Sequence, residues 1–185
     1  MKLIFQPYSD EDVALIRTAV RQNAENSPEI NAGFQTDIEK GMLISVPHKV
    51  YHLNSKDIIY EKGLRCALLN GKQYLLLLGE NVIGSAEIVN VYGNEKSIRL
   101  NFGSFYRSLA EVISLVEEHQ TAGDYEFNIL KIPSIYVIAV WLRSVNKNLF
   151  IPFGNIPKEY QPLKLYNEED FLRPAKRLSL INIRL

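Results

Sequence analysis

The hydrophobic and polar positions of the chain divide it into helical and strand-like stretches. Residues 9–26, "SDEDVALIRTAVRQNAEN", space their apolar side chains three and four positions apart after Ser9, a residue suited to cap a helix. Residues 103–120 repeat the pattern, with Ser104 in the capping position. Both stretches are predicted to be amphipathic helices.

Between these helices, residues 42–102 alternate short β-rich runs with turn residues. Asn70-Gly71 is the strongest hairpin signal, because a type I′ turn needs positive φ at both central residues, and Gly93-Asn94 is a second. Consecutive hairpins form an antiparallel meander. The predicted fold class is α+β: a mostly antiparallel sheet, a meander of about five to seven strands, with helices packed on one face.

Residues 131–144, "KIPSIYVIAVWLRS", form the longest apolar run and contain the only tryptophan. The run is shorter than the roughly 20 residues that cross a membrane as a helix. Its β-branched residues favour a buried strand, whereas Pro133 and Ser134 stand where first-turn and capping residues belong. We prefer the helix, and in either form Trp141 is expected to be buried.

The C-terminal third carries three further expectations. Residues 152–166 contain three prolines and are predicted to form an extended arm, after which Asn167 caps a short helix. The apolar tail, residues 178–185, is predicted to be a strand with one β-bulge that pairs with the strand-like N-terminus, "MKLIFQ". The alternative is a tail that docks on the sheet edge of a partner.

Composition limits the class of protein. A chain of 185 residues with 46% hydrophobic and 23% charged residues is predicted to fold as a single globular domain, residues 1–185. Lysine plus arginine and aspartate plus glutamate number 21 each, so the formal net charge is zero and neither nucleic acid nor a membrane is an expected partner. Cys66 is the only cysteine and the N-terminus has no secretory pattern, which favours the cytoplasm.

Few residues carry a chemical signature. His48 and His52 have a zinc-like spacing on a helix, but a strand is expected there and would hold them too far apart for one metal. Gly103 and Ser104 join a strand to a helix whose first turn contains Arg107, a geometry that can bind an anion. These three residues are the candidate ligand site, and no metal or cofactor is predicted.

No nucleophile motif or catalytic pair is recognisable, and adjacent glutamates such as Glu168 and Glu169 are expected to be solvated. The first hypothesis is therefore a non-catalytic interaction or accessory protein, which binds a protein partner of unknown identity or a second copy of itself. A small-molecule-binding module with a pocket between helix and sheet is the second hypothesis. An enzyme of unidentified class is the third.

Overall fold

The computed structural model describes residues 2–26, 41–90, 96–102, 105–118 and 123–183. The chain divides into two compact units, which are described separately. The larger unit comprises Met1–Phe5, His48–Asn70 and Ser108–Leu185, and the smaller unit comprises Gln6–Pro47 and Gly71–Arg107.

Within the described ranges the chain forms ten strands and four helices. The strands are β1 (Lys2–Ile4), β2 (Met42–Ile44), β3 (His48–His52), β4 (Leu68–Leu78), β5 (Asn81–Asn90), β6 (Lys96–Asn101), β7 (Asp124–Ile132), β8 (Val137–Arg143), β9 (Asn148–Pro152) and β10 (Tyr166–Asn167). The helices are α1 (Asp10–Asn26), α2 (Ser55–Ile59), α3 (Phe105–Glu118) and α4 (Glu168–Ile183). The predicted α+β class with mostly antiparallel strands is confirmed.

Strand β7 is the centre of the sheet in the larger unit. One of its edges pairs in parallel first with β1 and then with β3. The other edge pairs with antiparallel β8, which is followed by β9 and β10, each antiparallel to its neighbour. With ten strands in the described ranges and parallel pairs at β7, the prediction of a meander of about five to seven strands is wrong in strand number and in direction. Parallel pairing joins segments distant in sequence and leaves no hairpin signal.

The smaller unit has the antiparallel order β2, β4, β5, β6. Helix α1 begins as expected, with the Ser9 hydroxyl oxygen accepting a hydrogen bond from the Asp12 N–H at 3.3 Å. Its apolar face buries Ile16 and Val20 in a core with Tyr74 of β4 and other strand residues. The sequence pattern is confirmed for this helix.

Residues 137–143 form β8, so the helix preferred for residues 134–143 is wrong. Pro133 lies in a short 3-10 turn, Pro133–Ile135, and Tyr136 follows with a left-handed φ of 54°, so the chain turns back directly from β7 into β8. The proline thus marks a turn between two strands and does not start a helix. Trp141 is buried as expected, at 3% exposure.

The hairpin predicted at Asn70-Gly71 is also wrong, because both residues lie inside β4. Gly71 faces Val89 of β5 so closely that a Cβ atom there would lie 2.1 Å from the Ile88 carbonyl oxygen. This glycine is needed for close approach of two backbones. The turn between β4 and β5 is Gly79-Glu80, with Gly79 at a φ of 60°. Gly93-Asn94 lies outside the described residues.

The predicted C-terminal strand and its pairing with the N-terminus are wrong. Asn167 does cap a helix, since its Oδ1 accepts a hydrogen bond from the Asp170 N–H at 2.9 Å, but this helix, α4, continues to Ile183. Its buried residues, Phe171, Ala175 and Ser179, are four positions apart, which is a helical period. The N-terminal strand β1 pairs with β7 instead.

Helices α2 and α4 cover the face of the larger unit's sheet that carries Trp141. Phe150 of β9 is stacked between Trp141, at 6.2 Å, and Phe171 of α4, at 4.3 Å between ring centroids. The connection between β9 and β10, within the predicted arm, contributes Tyr160, whose hydroxyl donates to the Phe171 carbonyl oxygen at 2.9 Å. Aromatic packing therefore holds α4 on the sheet.

Replacement of Phe171 by alanine is expected to lower the free energy of unfolding by roughly 3 to 5 kcal/mol, because the side chain is fully buried and its loss leaves a cavity. Ile181→Ala, on the same helix but with 57% of the residue exposed, is the matched control and should change it by less than about 0.5 kcal/mol. Urea unfolding measures both values. Equal effects of the two substitutions would contradict the assigned face of α4.

Candidate functional site

The larger unit contains an open cavity of about 390 Å³ that combines aromatic and arginine side chains. We call it the aromatic–arginine cavity. It is lined by Tyr51, Leu64, Arg65, Ala67, Trp141, Arg143, Ser144 and Asn148. These residues come from β3, from the 3-10 turn Gly63–Cys66 with the residue after it, and from β8 and β9 with the turn between them. The cavity is thus assembled from three separate stretches of sequence.

The floor of the cavity is held by aromatic packing and hydrogen bonds. The rings of Tyr51 and Trp141 meet edge to face at a centroid distance of 5.2 Å. The Trp141 Nε1–H donates to Asn148 Oδ1 at 2.8 Å, and Asn148 Nδ2 donates to Glu168 Oε2 at 2.7 Å. Because each of these side-chain groups has a hydrogen-bond partner, the indole has a fixed orientation.

Glu168 and Glu169 were expected to be solvated; Glu169 is exposed, whereas Glu168 is partly buried. Its carboxylate lies at the first residue of α4 and binds the Asn148 amide. A negative charge is favoured at a helix N-terminus. Glu168 therefore links the start of α4 to the floor of the cavity.

Two arginines lie on the rim of the cavity. Arg143 places its Cζ atom 5.7 Å from the centre of the Trp141 ring, and its Nε atom is 3.8 Å from Glu126 Oε2. Burial raises the pKa of Tyr51, against the opposing effect of the Arg143 charge. No side-chain hydrogen bond or ion pair joins Arg65 to another residue in the described part of the chain. None of the eight lining residues is a carboxylate.

A second cavity of about 600 Å³ lies beside the first. We call it the α4 cavity. It is lined by Ile58, Glu61, Gly63, Glu168, Glu169, Leu172, Arg173 and Lys176. Lys176 Nζ binds Glu61 Oε1 at 2.5 Å across its mouth. The turn Gly63–Cys66 contributes residues to both cavities and so separates them.

Large apolar side chains are exposed on the chain that forms this turn. Within residues 60–69, the 60–69 segment, Tyr60 is 71% exposed, Leu68 is 63% exposed and Leu69 is 57% exposed. Single exposed apolar residues are common, whereas groups of them mark interaction surfaces, so the 60–69 segment is a candidate interaction surface.

The candidate anion site predicted from the sequence is only partly within the described residues. Gly103 and Ser104 lie outside them. Arg107 lies in the first turn of α3 and is exposed, with its Nε–H directed to the Tyr106 hydroxyl oxygen at 3.4 Å. The site therefore stays a prediction.

His48 and His52 lie on β3, as the sequence pattern indicated. The His48 ring is buried between Phe5, at 5.7 Å, and Phe127, at 4.8 Å between centroids, and neither ring nitrogen has a hydrogen-bond partner. Burial lowers the pKa of His48 to about 4. The ring therefore packs as a neutral aromatic group near neutral pH.

In the smaller unit Asp12 is buried at the start of α1 with three donors around it. It accepts hydrogen bonds from Lys72 Nζ at 2.8 Å, Tyr74 Oη at 2.7 Å and Lys96 Nζ at 2.9 Å. Burial alone would raise the pKa of Asp12, but the bonds from the two lysines and the tyrosine outweigh it and lower the pKa to about 2. This cluster joins α1 to β4 and β6.

Sequence reasoning missed both the cavity and the Asp12 cluster. Trp141 and Arg143 are two residues apart, which on a strand places them on one face, but the helix assignment hid this signal. Asp12 looked like an ordinary acidic residue in the first turn of a helix. Its lysine partners are about 60 or more residues away in the chain and have no local signature.

Comparison with family models, with curated proteins and with solved structures finds no match to this chain. In the ranges that the structure describes, no helix is both long and apolar enough to span a membrane. The same ranges contain no group of three or more histidine, cysteine, aspartate or glutamate side chains placed to hold a metal ion.

The buried His48 should make stability depend on pH. Above its ordinary pKa of 6.5 the ring is neutral in both the folded and the unfolded chain. Between pH 6.5 and about 4 only the unfolded chain binds a proton, so the free energy of unfolding falls as the pH is lowered, by roughly 3 kcal/mol in total. Urea unfolding of the wild type and of His48→Phe over this range measures the difference. Parallel pH profiles for the two proteins would refute the assignment.

Asp12→Ala is expected to destabilise the protein by about 2 to 3 kcal/mol, since it leaves Lys72 and the buried Tyr74 hydroxyl without their acceptor and removes one of two carboxylate partners of Lys96. The control is Glu11→Ala, which removes a neighbouring but exposed carboxylate bound to Lys96, and it should cost less than about 1 kcal/mol. Thermal and urea unfolding report both changes. A similar cost for the two variants would show that the buried cluster has no special role.

Proposed function

We propose that the chain is a non-catalytic accessory protein that binds a protein partner through the 60–69 segment and the aromatic–arginine cavity. The observation that carries this proposal is the exposure of Tyr60, Leu68 and Leu69 beside a cavity with a fixed tryptophan floor. Apolar side chains in water favour burial against a partner.

The composition of this surface supports the proposal. Tryptophan, tyrosine and arginine are enriched at the residues that dominate binding energies in protein interfaces, and all three types line the cavity. Such residues are most effective in a preformed pocket that excludes water. The hydrogen bonds from Trp141 to Asn148 and from Asn148 to Glu168 hold the pocket in shape before a partner arrives.

Two titratable groups with strong pKa shifts have structural explanations that do not require catalysis. Asp12 binds three donors that belong to the protein itself, and the His48 ring is enclosed by phenylalanines. A catalytic acid or base needs access to a substrate. These features support binding over chemistry as the function.

A second candidate function is small-molecule binding, which one observation favours. The aromatic–arginine cavity has a volume of about 390 Å³, within the range of ligand pockets, and it combines apolar walls with a few polar groups. Under this second hypothesis, the same tryptophan and arginines bind a small molecule.

The proposal also includes the class of partner and the cellular compartment. The balanced charge of the sequence favours a protein partner over nucleic acid or a membrane surface. The lone Cys66 fits a reducing compartment, so we place the chain in the cytoplasm. A second copy of the chain is one partner that the experiment below distinguishes.

The binding surface can be mapped by photo-crosslinking in the native cells. A photoreactive phenylalanine analogue at position 68 should give one discrete crosslinked protein, because Leu68 lies on the proposed surface and is exposed. The same analogue at position 136 is the control, since Tyr136 is 80% exposed but lies before β8, at the end of that strand opposite to Arg143. Mass spectrometry identifies the crosslinked species.

The outcomes separate the candidates. A crosslink at position 68 that is absent at 136 supports a partner on this surface, and a crosslinked species composed of two copies of the chain identifies self-association. Absence of any specific crosslink at position 68 contradicts the protein-binding proposal.

A further inference from the structure

We infer that the aromatic–arginine cavity binds an acidic side chain of the partner protein, with an apolar residue beside that side chain packed on the cavity wall. This inference rests on the proposed function. It is drawn from the hydrogen-bonding groups, the charges and the apolar surface of the cavity.

The polar groups at the cavity are mainly unused donors. Two side-chain acceptors beside the cavity are engaged: Asn148 Oδ1 accepts from the Trp141 indole, and Glu168 Oε2 accepts from the Asn148 amide. The Ser144 hydroxyl is engaged with the backbone of Lys147. What remains are the guanidinium groups of Arg65 and Arg143, which have donors and no acceptors; Arg143 gives one side-chain hydrogen bond to Tyr51 and keeps its other donors. The complementary group is therefore an acceptor.

The charges around the cavity favour an anion. Arg65 has no carboxylate partner among the described residues. Arg143 is near Glu126, but at 3.8 Å, and Glu126 is also 3.9 Å from Lys49 Nζ. One carboxylate thus lies between two cations, and no close hydrogen bond ties the Arg143 guanidinium to it. A carboxylate on the partner would complete the charge balance.

The geometry of guanidinium favours a carboxylate over a simple anion. Its planar donors match the two oxygens of a carboxylate in a bidentate contact. Arg143 already lies over the Trp141 ring, and a guanidinium stacked in this way has fewer orientations to lose on binding. The walls beside it, formed by Leu64, Ala67 and Tyr51, are apolar or aromatic. An acidic residue next to an aromatic or aliphatic one satisfies both parts of the cavity.

Binding can be tested with two short peptides on the purified chain. Acetyl-Glu-Phe-Glu-amide carries the proposed chemistry, and acetyl-Gln-Phe-Gln-amide has the same shape without charge. Trp141 is the only tryptophan and lines the cavity, so its fluorescence reports binding at this place. The glutamate peptide is expected to bind at least about tenfold more tightly than the glutamine peptide, the scale of a charge-assisted hydrogen bond.

Variants test whether the two arginines cause the preference for the glutamate peptide. Arg65→Gln and Arg143→Gln should each reduce the preference for the glutamate peptide by about tenfold, and Arg143→Lys, which keeps the charge but loses the planar donors, should reduce it in part. Lys147→Gln removes an exposed cation from the neighbouring turn and should leave the preference unchanged. Arg65 is exposed and makes no side-chain hydrogen bond or ion pair within the described ranges, so this variant keeps the test valid if changes at Arg143 disturb folding.

Three results would overturn the inference: equal binding of the two peptides, no fluorescence response to either, or an unchanged preference in Arg65→Gln. A free aromatic acid, benzoate, that binds more tightly than the glutamate peptide would also overturn it and favour a small-molecule ligand. If the peptides fail but the crosslink at position 68 persists, the partner is not acidic and the proposed function stands. If both fail, the proposed function fails as well.

Discussion

The backbone of β7 must be hydrogen-bonded along both edges, and much of the larger unit follows from this requirement. The side chains of β7 are buried on both of its faces, including Ile129 and Leu130, so no water is available to satisfy its peptide groups. Two short strands, β1 and β3, share one edge, and β8 covers the other. A buried peptide group without a hydrogen-bond partner would lower the free energy of unfolding, because its desolvation would not be compensated.

This pairing also decides where the cavity residues lie. Tyr51 is opposite Leu130 on one edge of β7, and Ala139 of β8 is opposite Leu130 on the other edge. Trp141 and Arg143 follow Ala139 at successive two-residue steps along β8. These side chains therefore lie on the same face of the strand. The register of β8 therefore places the aromatic floor and the arginine side by side, and a slip of one residue would turn both to the opposite face.

The helical layer explains why this face has an opening. Phe171 and Ala175 of α4 pack on the centre of the sheet, and α4 begins at Glu168 beside Asn148. Beyond that point the face is bordered by the 3-10 turn Gly63–Cys66 and the turn after β8. The hydrogen bond from Asn148 to Glu168 joins the start of α4 to β9.

Sequence reasoning succeeded where a structure depends on near neighbours. The cap at Ser9, the face of α1 and the cap at Asn167 all arise within one or two helical turns, and each was predictable. The sequence predictions failed where contacts with distant segments determine the local structure. Gly71 looked like a turn residue because the approach of the Ile88 backbone is not visible in the sequence. Pro133 looked like a helix start because the strand that follows it is fixed by pairing with β7 and β9.

The same argument applies to the candidate site. The charges of the whole chain cancel, so the sequence gives no sign of a preference for anions. The preference we infer depends on Arg65 and Arg143 meeting at one cavity, from stretches of chain that are far apart in sequence. At physiological salt, the interaction between charges is screened beyond roughly 8 Å. Such a site cannot steer a partner from a distance, and its selectivity should appear mainly in the rate at which a bound partner leaves.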